Sequence, residues 1–520
     1  MVADGKGRRS MESNRCFRDK SVLILLAIVL AHLLLHMFTA GNYGMFRDEF
    51  YYIECANHLD WGYVDHPPLS IVALAGSMAL FGDSVQAIRI LPALAGVLLI
   101  VLIWCMSGKL GGGWFARTLA ALSAAVAPDW LGMTGFFSMN AFDLLFWAAE
   151  FAILIGILKN GNEKQWLWFG LVAGLGLLNK ISMLFLLFSL FAGLLLTPHR
   201  KQLRSRYFWI GGALAMLLFL PYVLWQVPHR WATVVFMASA QEYKIASLSP
   251  FSFLLSSVLS MQPLNMLVWL SGLSCLLFAP QMRRYRLLGL VFLITLVLLV
   301  VQKSKPYYLS SAYSVLFAAG GVAVESLTHK KGWKWTGYLA MTVIIVGGLF
   351  TLPFAVPVLR IERFIEYQKA IGIRPPQSEN HRMGQLPQFY ADCFGWENMA
   401  KTVSSVYRTL TPEQKADCAV FAGNYGEAGA INYFRSKYEL PPAISEHNNF
   451  YFWGPGRATG KTILAIGIDP EEWKKEYASV TLAATIVSPY AMPYETNLPV
   501  YICLGLKTPI KKAWGPPNFI

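Results

Sequence analysis

From Val22 to Leu359 the chain alternates long apolar runs with short polar segments, and beyond Arg360 that alternation stops. The first run, Val22–Ala40, reads as a transmembrane helix. It is too long for the apolar core of a signal peptide and lacks a clean small-x-small cleavage site. Further runs at roughly 85–106, 114–130, 138–158, 166–179, 181–197, 208–227, 252–279, 287–302, 308–326 and 336–358 bring the expected count to about eleven. Each either suffices to span the bilayer at about 1.5 Å per residue or needs tilting to do so. The stretch 66–84 is apolar but short and led by two prolines, so it reads as an interfacial or re-entrant helix.

Charge placement orients these runs. Residues 1–20 form a basic leader with Lys6, Arg8, Arg9, Arg15, Arg18 and Lys20, which the positive-inside rule puts in the cytoplasm. Alternate loops then carry Lys109, Lys159 and Lys164; His199, Arg200, Lys201, Arg204 and Arg206; Arg283, Arg284 and Arg286; and Lys330, Lys331 and Lys334. The first outer loop, 41–84, and everything after 358 fall outside the cytoplasm on this count. The expected organisation is a leader (1–20), a membrane domain (21–358) and an extracytoplasmic α/β domain (359–520). In that last part Cys418–Gly423 and Thr462–Ile468 read as buried strands, and Glu427–Lys437 and Glu471–Ala478 as helices.

Composition agrees with this pattern and narrows it. Of 520 residues 55% are hydrophobic and only 14% charged, far from a soluble average. The net charge of +14 sits largely in loops between apolar runs, so it gives no basic face for nucleic acid. Seven cysteines at 16, 55, 105, 275, 393, 418 and 503 have no metal-binding spacing, and no disulfide framework is expected, Cys393–Cys418 being the one pair considered.

The chemistry concentrates in Asn42–Leu69. Asp48 and Glu49 lie about one turn past the first span, and Asp65-His66-Pro67-Pro68 closes the loop. Phe50, Tyr51, Tyr52, Trp61 and Tyr63 between them read mainly as interfacial anchors. On the same predicted side lie Asn140 and Asp143 at the start of the fourth span, and Lys180 in the tight turn after Asn179. His229-Arg230 and Glu242-Tyr243-Lys244 occupy the next outer loop, and Lys303, Lys305, Tyr307 and Tyr308 the turn before 308–326.

Any one of these has an ordinary explanation: a solvated helix start for Asp48-Glu49, a snorkelling lysine for Lys180. Together they suit an anionic head group on a hydrophobic tail, since cations at membrane depth need a partner such as a lipid phosphate. A nearby carboxylate could then act as general base on an acceptor hydroxyl. His32 and His36, at i, i+4 spacing, read as packed or hydrogen-bonded rather than metal-binding. Gly423-Asn424-Tyr425-Gly426 reads as a strand-to-helix turn rather than a phosphate cradle.

The segments FRDEFYYIECANHLDWGYVDHPPL, FFSMNAFDLLFW, GLGLLNKISMLFL and QKSKPYYLSSAY occur in that order. In this the chain resembles bacterial membrane glycosyltransferases of the protein O-mannosyltransferase and lipid A aminoarabinose transferase type, with GT-C architecture. The resemblance covers residues 20–350, and GNYGEAGAINYF and HNNFYFWGPG are similar to the C-terminal domain of some members. It implies Asp48 as catalytic base and Glu49 as a supporting or acceptor-side carboxylate. It implies that Lys180, Lys305, Tyr307 and Tyr308 face a polyprenyl phosphate. Lys303, Asp65 and His66, on the same predicted side, are expected from the residues themselves to bind substrate.

Many members carry an aspartate where this chain has Asn140, which leaves open whether Asp143 takes that place. The expected function is inverting transfer of a sugar from a polyprenyl-phosphate donor to an extracytoplasmic lipid, glycan or protein, at a bacterial inner membrane. The alternative is a membrane transporter or lipid-linked-sugar flippase, which would favour broken helices in paired halves and ionisable groups near the bilayer midplane. Here the polar groups fall on one side and no internal repeat is apparent. No cofactor is required by the spacing, although the carboxylates could hold a divalent cation.

Overall fold

A computed structural model describes residues 5–246, 248–330, 332–375, 379–515 and 519, with side chains described from Ser21 onward except at 329 and 330. Residues 1–4 of the expected leader and Lys331 of the last basic loop lie outside the described residues. The first helix, Gly5–Thr39, is continuous into the first span.

Among the described residues, seven helices are long and apolar enough to cross a membrane: Ser21–Thr39, Val85–Lys109, Met139–Asn160, Arg206–Gln226, Pro280–Val301, Pro306–Thr328 and Lys334–Phe354. Two more expected spans are bent pairs. Met183–Leu195 turns by 112° into Pro198–Arg204, and Pro250–Ser260 turns by 99° into Pro263–Phe278. At the second break Gln262 has φ +66° and Pro263 follows, a residue that cannot continue the preceding helix. The expected span 114–130 is divided at Pro128 into Trp114–Ala125 and Pro128–Gly135, and 166–179 is the 15-residue helix Gln165–Asn179. Apolar composition marked all these runs as helical, but the prolines set where they break. Leu69–Phe81, 13 residues and about 20 Å long, is too short to span.

The described chain forms two compact units. The first holds 1–40, 86–223 and 247–358; the second holds 41–85, 224–246 and 359–520. In the first, Leu23, Leu26, Leu30 and Leu34 expose apolar surface, as a lipid-facing helix does, while the helix Ser314–Lys330 is buried along Val315–Ala319. His32 and His36 are buried at 4.5 Å between ring centroids. The Thr134 hydroxyl lies 3.1 Å from His36 Nε2 and 3.5 Å from His32 Nε2.

The second unit is built on a five-stranded sheet of β1 (Cys418–Ala422), β2 (Ala443–Ile444), β3 (Thr462–Ile466), β4 (Tyr477–Ile486) and β5 (Leu498–Leu506), in the order β2-β1-β3-β5-β4. β1 runs parallel to β2 and β3, while β5 runs antiparallel to β3 and β4. Both expected strands and both expected helices are present, the helices as Tyr425–Tyr438 and Pro470–Glu476. The antiparallel pair β4 and β5 was not anticipated, because YASVTLAATI leaves most of its residues exposed and lacks a clean alternation. Cys393 and Cys418 are free thiols.

The first-loop aromatics are core, not interfacial anchors. Phe50, Tyr51, Tyr52 and Tyr63 are at most 4% exposed, and only Trp61, at 64%, stays on the surface. Their burial is possible because the polar ends are satisfied within the unit: Tyr51 donates to Asn449 Oδ1 at 3.0 Å, and Tyr63 to the Cys55 carbonyl at 3.0 Å.

Candidate functional site

In the second unit, helix Arg47–Asn57 carries the acidic pair. Glu49, fully buried, turns its carboxylate back to accept from the Phe46 backbone N–H at 2.8 Å. The carboxylate expected to support catalysis therefore caps its own helix.

Asp48 behaves differently. Its Oδ1 accepts a 2.7 Å hydrogen bond from the Tyr425 hydroxyl. Burial pushes its pKa up; the Tyr425 hydrogen bond, Lys244 and Arg47 oppose that, and Asp65 adds to it. Tyr425 starts the helix Tyr425–Tyr438, whose N-cap Asn424 accepts from Gly426 N at 2.9 Å and Glu427 N at 3.1 Å.

Two glycines one turn apart on that helix let the acidic helix come close. A Cβ at Gly426 would lie 2.5 Å from Arg47 Cγ, and one at Gly429 would lie 2.9 Å from the Phe50 backbone. The turn expected at Gly423–Gly426 is thus also a docking surface.

Arg47 organises the carboxylates behind Asp48. Its guanidinium lies 4.9 Å over the Tyr425 ring and 3.9 Å from Glu495 Oε1, and it donates to the Tyr494 hydroxyl at 3.3 Å. Burial pushes Asp392 up to about 7, with Arg47 pulling the other way. Glu427 and Glu495 are both pushed up, burial being the largest cause for each. One cation among three buried carboxylates favours keeping protons on some of them.

Asp65 and His66 are held nearby in sequence by a buried imidazole. His66 is fully buried, with Nδ1 3.0 Å from the Pro67 carbonyl and its ring against Tyr52 and Tyr63. Its Nε2 faces Asp65 Oδ1 at 3.7 Å. Both atoms are buried without a hydrogen-bond partner among the described residues, which marks a place where a ligand could bond.

The first unit holds the cationic residues. Ser138 caps the helix Met139–Asn160 by accepting from Asn140 N. This brings Asn140 and Asp143 to one side of its first turn. Lys180 ends the helix Gln165–Asn179 and donates to Asn140 Oδ1 at 2.7 Å, with Asp143 Oδ2 3.9 Å away. It also lies 4.9 Å over the Tyr308 ring and 5.4 Å over that of Tyr307. Asp143, buried, accepts from the Ser182 and Ser311 hydroxyls at 2.8 Å each.

Asn140, Asp143, Lys180, Tyr307 and Tyr308 therefore meet in one cluster. Lys305 precedes Pro306–Tyr313 and is partly buried. Lys303 is exposed at φ +52° and makes no ion pair among the described residues. No group of three metal-ligating side chains occurs among the described residues.

Sequence reasoning missed Tyr425, Arg47 and Lys244 as partners of Asp48. Nothing in the sequence pairs them, since 377 residues separate Asp48 from Tyr425.

Apolar spans and a mixed-sheet unit make this a multi-pass membrane protein, and its fold is the GT-C fold of the solved ArnT structures. Residues 65–225 match the dolichyl-phosphate-mannose-protein mannosyltransferase family. A lipid A galacturonosyltransferase, RgtD, from Rhizobium johnstonii is 26% identical over 218 residues, a match covering 41% of this chain and only 44% of that relative. ArnT from Cupriavidus metallidurans, solved bound to undecaprenyl phosphate, superposes with TM-score 0.59 at 14% identity over 92% of this chain and 97% of its own. Its apo form gives 0.60. The mycobacterial arabinofuranosyltransferase AftD gives 0.52 at 13% identity, covering 93% of this chain and 40% of its own.

Proposed function

We propose that this protein is an inverting glycosyltransferase of the bacterial inner membrane. It moves a sugar from a polyprenyl-phosphate donor to a lipid A-type acceptor on the extracytoplasmic side. Asp48 takes the proton of the acceptor hydroxyl as that oxygen attacks the anomeric carbon. The bond from that carbon to the phosphate oxygen breaks, and the polyprenyl phosphate leaves with the electron pair. Lys180, held by Asn140 beside Tyr307 and Tyr308, stabilises the charge developing on the phosphate.

The observation that carries this reading is the setting of Asp48. Burial raises its basicity while the Tyr425 hydroxyl fixes one oxygen. The undecaprenyl phosphate bound by ArnT and the lipid A named for RgtD support the two substrate classes. Their unpartnered atoms support a role for Asp65 and His66 in donor or acceptor binding.

The test is purified protein in detergent with a polyprenyl-phosphate sugar and lipid A, followed by mass spectrometry. A mass gain of one sugar on lipid A, with no membrane gradient, is expected. A transporter would leave both lipids unchanged in this assay, and that result would overturn the reading.

A further inference from the structure

The second unit contains a cavity of about 400 Å³ within 359–520, apart from the Asp48 cluster. That volume lies within the ~300–1,000 Å³ typical of small-ligand sites. Its position follows from the sheet topology. The chain leaves β1 for β2 on one side and later adds β3 on the other, so the strand order reverses beside β1. In open sheets of this kind, ligands bind outside the carboxyl ends of the parallel strands at that reversal. Gly423 follows β1, Glu446 and His447 follow β2, and Ile468 follows β3, and all four line the cavity.

The lining chemistry selects the ligand. Trp473 and Trp514 stand with Phe421 over one sheet face. Phe421 and Trp473 meet edge to face at 5.0 Å. The Trp473 indole N–H is buried with no hydrogen-bond partner among the described residues. Glu446, Glu472 and Glu476 supply carboxylates, and the lining contains no lysine or arginine.

A phosphate is disfavoured here. The N–H groups at the start of the helix Tyr425–Tyr438 are already taken: Asn424 accepts from Gly426 and Glu427, and Glu427 Oε2 accepts from Gly423 N at 2.7 Å. Aromatic faces beside carboxylates, with anions excluded, fit a sugar ring that carries hydroxyls and an ammonium.

We infer that this cavity binds a sugar bearing a free amino group, with the ring on Trp473 and Trp514 and the ammonium on the carboxylates. The site is joined to the base by direct contacts: the His447 ring lies 4.9 Å from that of Tyr425, the donor to Asp48.

The test is saturation-transfer NMR on the full-length protein in detergent, with glucosamine, methyl glucoside and galacturonate as probes. Glucosamine is expected to bind about tenfold better than methyl glucoside, the worth of one charge-assisted hydrogen bond, and galacturonate not at all. Trp473→Ala should abolish the glucosamine signal. Glu446→Gln, checked for an unchanged melting temperature, should reduce glucosamine to the level of methyl glucoside. Absence of signal with wild-type protein, or retention of full binding in both variants, overturns the inference. If transfer to lipid A persists alongside that failure, the proposed reaction stands and only this pocket is wrong.

Discussion

Lys180 reaches Asn140 across 40 residues of sequence, while Asp48 reaches Tyr425 across 377. The lysine cluster is assembled from the ends of neighbouring helices. Ser138 fixes one helix start, Lys180 ends the next helix, and Asn179 ties them by donating to the Met139 carbonyl at 2.9 Å. Its members are polar residues stranded beside apolar runs, and membrane energetics alone makes them conspicuous. The aspartate cluster sits in an ordinary polar-apolar core, where Tyr425 and Arg47 look like any other buried tyrosine and any salt-bridging arginine. A site at helix ends in lipid announces itself one residue at a time, and a site in a mixed-sheet unit does not.

Mutations separate the two clusters, and the largest effect is expected at Asp48. Asp48→Asn keeps the shape but removes the proposed base, and should lower kcat by roughly 10²–10⁴-fold with an unchanged melting temperature, measured by transfer rate on purified protein. Lys180→Gln should come next, weakening donor use by about 10–100-fold, as loss of a charge-assisted hydrogen bond does. Donor titration should assign that loss chiefly to KM. If instead kcat alone falls, Lys180 acts on the leaving phosphate in the transition state only.

Tyr425→Phe should cost about tenfold, the worth of one hydrogen bond to a charged group. It also has a sign that a packing defect would not produce. The Tyr425 hydroxyl lowers the Asp48 pKa, so its removal raises that pKa. The acid limb of the pH–rate profile must then move to higher pH. Lys303→Ala, at an exposed position outside the Lys180 cluster, should change activity less than about twofold, within the small range of surface substitutions. A large loss there would mean that the turn Lys303–Tyr308 works as one piece.

Much of this architecture was readable beforehand, for reasons that differ by element. The long spans follow from hydropathy, and Asn140, Asp143 and Lys180 from their cost in an apolar setting. β1, β3 and the turn at Asn424 follow from apolar runs bounded by Gly and Asn. Three things were hidden. Glu49 looks like Asp48 in sequence, and only helix geometry makes it a cap. Tyr51 and Tyr63 look like interface anchors until Asn449 and the Cys55 carbonyl satisfy their hydroxyls. The packing of 41–85 and 224–246 with 359–520 leaves no trace in composition, because the glycines that permit it, Gly426 and Gly429, resemble turn residues.

The second unit is stitched from three separated stretches of chain, and this sets an order of events during synthesis. The first stretch emerges from the ribosome long before Tyr425 or the strands exist. Until then Phe50, Tyr51 and Tyr63 have no core to enter, and they stay exposed to aggregation or to a holding chaperone. A messenger truncated after the last span would yield an inserted protein whose earliest loop never matures, and proteases should reach that loop first.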